Sequence, residues 1–352
     1  MLTSDFDYPL PPELIAQSPA PHREDSRLLV VERSANRIES GSRFADLGRW
    51  LRKGDLLVLN DTRVMPARLA TFREDKPDIK VEILLLEELE PGRWSCLAGP
   101  GRRARPDDVL VFESNSGRTQ TRARVAGKTD FGGRVLEFDA GADVRALMES
   151  CGSMPLPPYI HRDSALSSDR ERYQTVFAKE SGAVAAPTAS LHFSAELLAS
   201  LRSNDVRTTH LTLHVGLGTF RPVKTERTED HIMHGERFRV PSECWSEVQA
   251  AKAEGRRVVA AGTTAVRALE TFAALPDPEA ERDRWLNSAL FITPGFRFRI
   301  LDALITNFHL PKSTLLMLVS AFAGADLVQR AYAQAIAEKY RFYSYGDAML
   351  IL

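Results

Sequence analysis

Residues 211–223, LTLHVGLGTFRPV, decide how this chain is read. An apolar, strand-like run leads straight into a histidine, two glycines, a threonine and an arginine, which a core strand does not require. The pattern reads as a strand feeding a loop built to hold something. Gly216 and Gly218 suit a sharp turn or the close approach of a ligand to the main chain, because glycine has no side chain in the way. Upstream, residues 185–193 read AAPTASLHF and place Thr188 and His192 just before a helix candidate at 194–202. A turn back would bring His192 toward His214. Either histidine alone reads equally well as a hydrogen-bonded core residue. The pair, with the glycines, Thr219 and Arg221, points to a site.

Strand and helix alternate on both sides of this stretch. Strand candidates lie at 28–31, 55–59, 209–215, 257–261 and 290–293, and helix candidates at 44–51 (a turn or two), 194–202, 242–254, 264–274, 313–322 and 325–339. Such alternation predicts an α/β fold with a mixed sheet covered by helices. Residues 67–138 differ. Strand-like runs at 80–86, 93–98, 108–112, 121–125 and 134–138 follow one another, separated by Gly, Pro, Asn and Asp at the spacing of a barrel or sandwich. The expected organisation is a discontinuous α/β catalytic domain of residues 1–64 and 151–352, with an inserted all-β, barrel-like domain at 65–150.

Composition narrows the function classes. At 352 residues, with 43% hydrophobic and 26% charged residues, the chain is an ordinary globular protein of about two domains. Lys plus Arg is 46 against 47 for Asp plus Glu, so any basic surface must be local. One such segment exists at 101–134, where eight basic residues, among them Arg102, Arg103 and Arg105, outnumber four acids. It reads either as a solvated strand face or as an RNA-facing surface. The three cysteines, Cys96, Cys151 and Cys244, fit neither a disulfide framework nor a CxxC pair, which predicts a cytoplasmic protein. No signal peptide and no run long enough for a membrane span is read, so no membrane is expected.

Four further segments carry polar residues where packing does not ask for them. Asn60, Asp61, Thr62 and Arg63 follow an apolar strand, the position at which open α/β sheets place ligands, although Asn and Asp also favour simple turns. HIMHGE supplies His231, His234 and Glu236. AGTTAVRALE puts Thr263 and Thr264 at a helix N-terminus, able to hold an anion or simply to cap the helix. TNFHLPKST, residues 306–314, supplies Asn307, His309 and Lys312. His231 and His234 lack a third ligand at a recognised spacing, and no metal is expected.

Taken in order, NDTRVMPARL, GSMPLPPYIHR, DRERYQTVFA, AAPTASLHF, LTLHVGLGTFRPV, MHGE, AGTTAVRALE, TNFHLPKSTLLMLVSAFAG and YRFYSYGDAMLIL resemble the S-adenosylmethionine:tRNA ribosyltransferase-isomerase family of queuosine biosynthesis. The resemblance runs from Asp5 to the C-terminus and is weakest across the inserted β-region. The family pattern usually has Gly where this chain has Ser190, and often Ser where it has Gly235. Such enzymes transfer the ribosyl group of S-adenosylmethionine to a 7-aminomethyl-7-deazaguanine base at the tRNA wobble position, isomerise it to epoxyqueuosine, and release adenine and methionine. The resemblance thus implies tRNA and S-adenosylmethionine as partners, the latter consumed as a substrate, so that no cofactor is expected; a monomer is expected too.

That chemistry needs a base for the 5′ proton acidified by the sulfonium, an acid for departing adenine, and a free amine as nucleophile. His192 and His214 are the leading base candidates, with Glu236 or Asp61 as partners. His234 or His309 could protonate adenine. Arg63, Arg221 and Lys312 suit the methionine carboxylate or a tRNA phosphate. Asn60, Thr62, Thr188, Gly216, Gly218, Thr219, Thr263, Thr264 and Asn307 complete the expected substrate-binding set. Two rival classes are an S-adenosylmethionine-dependent RNA methyltransferase and a non-catalytic RNA-binding protein. The first lacks a GxGxG after either early strand, and the second leaves the polar clusters unexplained.

Overall fold

Four parallel strands, Arg207–Leu213, Leu56–Asn60, Val258–Ala261 and Ala303–Asn307, lie side by side in that order at the centre of a nine-stranded sheet. The computed structural model describes all residues except 114–119, 163–165, 167 and 217–222. Strands covered on both faces should be apolar throughout, and Leu56–Asn60, Val258–Ala261 and Ala303–Asn307 are buried at every position. Beyond them, Ala348–Ile351 runs antiparallel to Ala303–Asn307 and parallel to Arg27–Glu32, and Arg37–Arg43 forms that edge. Antiparallel Glu236–Arg239 and Leu286–Ser288 form the other. The sheet is mixed and helix-covered, as its sequence predicts.

Strand alternation sorts the core into faces. Leu29, Val31, Leu304, Met349 and Ile351 pack with Met317, Val319, Val328 and Ala331 of the helices Thr314–Ala323 and Ala325–Ala337. Leu28, Val30, Leu57, Leu59 and Ile305 pack with Phe44, Phe193, Leu197 and Leu201. The apolar character of the helix pair is therefore core-directed, and among the described residues no single helix is long and apolar enough to cross a membrane. Serine caps begin two helices where polar residues precede apolar runs. Ser194 accepts from the Leu197 amide at 2.9 Å, and Ser313 from the Leu316 amide at 3.2 Å.

Connectivity locates a crevice. Leu56–Asn60 is followed in this sheet by Arg207–Leu213 on one side, whereas Val258–Ala261 leads to Ala303–Asn307 on the other. The carboxyl ends of the two adjacent strands therefore send their chains in opposite directions, and open sheets of this kind bind ligands at such a point.

Residues after Val64 build a closed barrel of six antiparallel strands, Arg68–Arg73, Lys76–Glu90, Arg93–Gly99, Val109–Glu113, Gln120–Lys128 and Arg134–Phe138. Inward-facing Leu69, Ile83, Leu85, Trp94, Cys96, Phe112, Val125 and Leu136 fill it. The helix Val144–Cys151 covers the barrel with Val144, Leu147 and Met148, an element that the all-β expectation did not include. Where the chain leaves and returns, Arg68 and Ser153 exchange backbone hydrogen bonds of 3.2 and 2.9 Å. Gly152 sits so close to Pro66 there that a Cβ would fall 1.8 Å from its carbonyl oxygen.

One strand expectation fails. Residues 290–293 form no strand; the edge strand is Leu286–Ser288, and Ile292 instead packs into the core beneath the helix pair. Within the run LFIT only Ile292 is buried, with Leu290 and Phe291 packed against the same cluster and partly exposed, and none of them has a ladder partner among the described residues.

Candidate active site

Four polar segments singled out in the sequence emerge at the carboxyl ends of the four parallel strands, and a cavity of about 50 Å³, open to solvent, lies beside them. Thr188, Thr263, Thr264, Asn307 and His309 all line it. Residues that sequence reasoning did not single out, Tyr159, Phe308, Tyr343 and Ser344 among them, complete the wall. Their motifs, GSMPLPPYIHR, TNFHLPKST and YRFYSYGDAM, were informative as motifs, but tyrosines among apolar residues read individually as core.

The floor is a strand-to-helix turn. Gly262 has φ +98°, which only glycine adopts without strain, and a Cβ there would meet that of Ala189 at 3.6 Å. Gly262 is also the N-cap of the helix Thr263–Ala273, so neither threonine caps it with a side chain. Both stand in the first turn, where unpaired amides and the helix dipole favour negative charge. Asn60 crosses the crevice to Thr264. Its Nδ2 donates to Thr264 Oγ1 at 3.1 Å and to the Leu213 carbonyl at 3.0 Å, and its Oδ1 accepts from the amides of Leu213 at 3.0 Å and Thr62 at 3.2 Å. This side chain is fully occupied as a strut. Ser190 fits its departure from the family pattern, since its hydroxyl donates to the Ala261 carbonyl at 3.3 Å. At Gly235 a Cβ would meet nothing within 4 Å.

Asn307 and His309 differ from Asn60 in having spare valence. Asn307 Nδ2 donates to the Tyr343 carbonyl at 2.9 Å, which fixes the amide orientation, and lies 3.3 Å from His192 Nε2. Its Oδ1 is buried with no partner among the described residues. His309 holds Thr306 Oγ1 through Nε2 at 2.6 Å, while Nδ1 has no partner among the described residues. Its backbone is pinned on both sides, the amide donating to Tyr332 Oη at 2.9 Å and the carbonyl accepting from Tyr8 Oη. Burial pushes His309 down to about 3, so the ring is neutral.

The two histidines that headed the sequence reading do not meet here. His192 is buried with both nitrogens engaged. Because Asn307 must donate to it, Nε2 accepts, and Nδ1–H donates to Ser26 Oγ at 2.7 Å. Burial, aided by the Arg341 charge, lowers it to about 3. His214 bonds Thr62 Oγ1 at 2.8 Å through Nδ1 and stacks on Trp285 with ring centroids 4.8 Å apart. On its other side a Cβ at Gly182 would fall 2.6 Å from Nε2, so the ring is clamped. Burial and the Arg237 charge lower His214 to about 4.

The remaining expected residues spread outward. Asp61 accepts from Thr212 Oγ1 at 2.7 Å, and burial raises its carboxyl above the usual range. Glu236 is buried in an ion pair with Arg267 and accepts from the Gly216 amide at 2.9 Å. Arg63 and His234 are exposed, and Lys312 pairs with Asp7 at 2.7 Å on the surface. Gly218, Thr219 and Arg221 lie outside the described residues. On the barrel, Arg102, Arg103 and Arg105 are exposed, whereas Arg134 is buried and holds the carbonyls of Gly101 and Ala104. Among the described residues no group of three or more His, Cys, Asp or Glu side chains could hold a metal ion.

Comparison with known proteins gives consistent results. The model of the family described as queuosine biosynthesis protein matches residues 3–351. The chain is 51% identical over its full length to the S-adenosylmethionine:tRNA ribosyltransferase-isomerase of Symbiobacterium thermophilum, and 49% to that of Halothermothrix orenii, with each relative covered completely. It is similar in structure to the crystallised S-adenosylmethionine tRNA ribosyltransferase of Thermotoga maritima, with a TM-score of 0.57 and 38% identity over 99% of this chain and 100% of that one.

Proposed function

Because this chain belongs to the queuosine biosynthesis protein family, we propose that it is an S-adenosylmethionine:tRNA ribosyltransferase-isomerase acting through the carboxyl-edge cavity. It transfers and isomerises the ribosyl group of S-adenosylmethionine onto the 7-aminomethyl-7-deazaguanine base at the tRNA wobble position, giving epoxyqueuosine and releasing adenine and methionine. The observation that carries the assignment of the site is the coincidence of Asn307 Oδ1, His309 and the first turn of Thr263–Ala273 around one cavity at the switch point of the sheet.

The chemistry follows from these groups. The sulfonium withdraws electrons from the 5′ methylene, and a neutral imidazole accepts the proton released there. His309 suits this better than His192 or His214, because it lines the cavity and keeps one ring nitrogen available. Adenine departs with the electrons of its glycosidic bond and gains negative charge. The positive end of the helix Thr263–Ala273 stabilises that charge until a proton arrives. Asn307 Oδ1 is an acceptor suited to a ribose hydroxyl or the incoming amine. The amine nitrogen bonds the ribosyl carbon, the isomerisation proceeds, and methionine leaves. In this reading residues 1–64 and 151–352 form the catalytic domain, and the barrel of residues 65–150 offers Arg102, Arg103 and Arg105 to tRNA phosphates. The protein works as a cytoplasmic monomer.

The test is a product assay with tRNA carrying the aminomethyl base. Free adenine and methionine in equal amounts are expected. S-adenosylhomocysteine would identify a methyltransferase, and tight tRNA binding with neither product would identify a non-catalytic binder.

A further inference from the structure

A second, smaller hollow, of about 20 Å³, lies on the far side of the His192–Asn307 hydrogen bond, and Ser344 lines both it and the first cavity. Three arginines from distant parts of the chain, Arg23, Arg172 and Arg341, converge on it. All three are half-buried. All three donate to main-chain carbonyls, Arg341 to Ser18 O at 3.4 Å. Arg23 donates to Leu191 O at 3.1 Å and Glu171 O at 2.9 Å, and Arg172 donates to Pro21 O at 2.8 Å and Ala20 O at 2.7 Å. Such bonds orient a guanidinium without neutralising it. Arg172 Nε is, moreover, buried with no partner among the described residues. Arg341 alone touches a carboxylate, Asp347 at 3.4 Å, and both oxygens of Asp347 already accept backbone amides, from Arg27 at 2.9 Å and Arg341 at 2.8 Å.

The hollow thus gathers more cationic charge than the adjoining carboxylates offset. Burial first, and then the Arg172 charge, hold Arg23 below the usual guanidinium range, with the Glu171 charge partly opposing them. Like charges brought together in a partly desolvated pocket are unfavourable unless an anion completes the group, and the planar forks of arginine fit an anion with several oxygens.

We propose that Arg23, Arg172 and Arg341 form an oxyanion subsite that holds the anionic group of a substrate whose reacting part occupies the neighbouring cavity. Under the function proposed above, that group is either an RNA phosphate or the carboxylate of the methionyl moiety; the subsite itself does not depend on which.

The test begins with inorganic phosphate, titrated calorimetrically at constant ionic strength in chloride. Wild type should bind it, Arg172→Gln should bind it about tenfold or more weakly, and Arg172→Lys, which keeps the charge but loses the fork, should fall between the two. Circular dichroism and thermal melts check that each variant folds; should Arg172→Gln fail to fold, Arg23→Gln takes its place. Substrate constants then name the source. A KM for S-adenosylmethionine raised about tenfold, with tRNA affinity unchanged, assigns the carboxylate. A tRNA Kd raised about tenfold, with the slope of log Kd against log salt reduced by about one, assigns the phosphate. Phosphate binding that depends on Arg172 supports the subsite even if the ribosyl-transfer assay fails, so the two readings fall separately. Folded Arg→Gln variants with phosphate affinity, KM and tRNA Kd all within twofold of wild type would overturn it.

Discussion

The two flanks of the carboxyl edge are built from the same kinds of buried polar residue and use them differently. On the side of Leu56–Asn60 and Glu236–Arg239, Asn60 makes four hydrogen bonds and Glu236 is locked to Arg267 and Gly216. On the side of Ala303–Asn307, Asn307 Oδ1 has no partner among the described residues, and His309 is tied through one ring nitrogen only. Saturation marks architecture, since a buried polar group with every valence filled has nothing left to offer a ligand. An unfilled valence against a cavity is costly unless something fills it, and this is where chemistry belongs.

The contrast can be broken most directly at His309. His309→Asn should lower turnover by about two to four orders of magnitude, the usual contribution of a general base, with the fold retained. Exchange of solvent deuterium into the 5′ position should vanish with it. His214→Ala is the comparison, and if it abolishes exchange while His309→Asn does not, the clamped ring beside Trp285 is the base instead.

The saturated flank should respond in stability. Glu236→Ala leaves the Arg267 guanidinium buried and unpaired, and denaturant unfolding should show a loss of about 3–5 kcal/mol. A loss below about 1 kcal/mol would place Glu236 among groups that can be released for catalysis.

Acid sharpens the comparison further. His192 and His309 are each pushed down to about 3, below the value near 6.5 of an unfolded chain, so the unfolded state binds protons first as pH falls. Their stabilising preference for the neutral ring is present in full above about pH 6.5 and is lost progressively as pH drops toward 3. At pH 5 each should have given up about 2 kcal/mol. Replacing either by Asn should flatten the fall in urea midpoint between pH 7 and pH 5; an unchanged slope would mean that the ring is accessible and charged.

The smallest effect is expected on the barrel, where the same distinction recurs among arginines. Arg122 pairs with Glu74 at 2.7 Å, and Arg124 pairs with Asp107 and Glu137, whereas no ion pair to a described residue engages Arg102, Arg103 or Arg105. Changing those three to Ala should weaken tRNA binding and reduce its salt slope by about two to three. The KM for S-adenosylmethionine should stay constant. An unaltered slope would return the segment to ordinary solvated surface.

Much of this was legible in the sequence, for a physical reason. Polar residues directly after apolar runs are conspicuous because a strand covered on both faces is apolar over most of its length, so Asn60, His214, Thr263 and Asn307 stand out at or just past strand ends. The edge strand Arg37–Arg43 was not legible, since RIESGSR is polar on both faces and shows no alternation. Nor could spacing say which histidine faces the cavity. That choice rests on Ser26, Thr62 and Thr306, which occupy ring nitrogens from far along the chain or from the next turn. The arginine hollow escaped notice because Arg23, Arg172 and Arg341 belong to no common motif.

The clasp between Arg68 and Ser153 has a consequence for how the chain reaches this fold. Leu56–Asn60 must find its neighbour Arg207–Leu213 across about 150 residues, and a barrel that has already closed on its own ends removes about 85 of them from the search; with closure entropy growing as (3/2)RT ln n, that shortcut is worth about 0.7 kcal/mol. The barrel then acts as a knot tied in a rope, shortening the free length between two points that must later touch. A permuted chain opened within the barrel would lose that shortcut, and its sheet should form more slowly while ending in the same place.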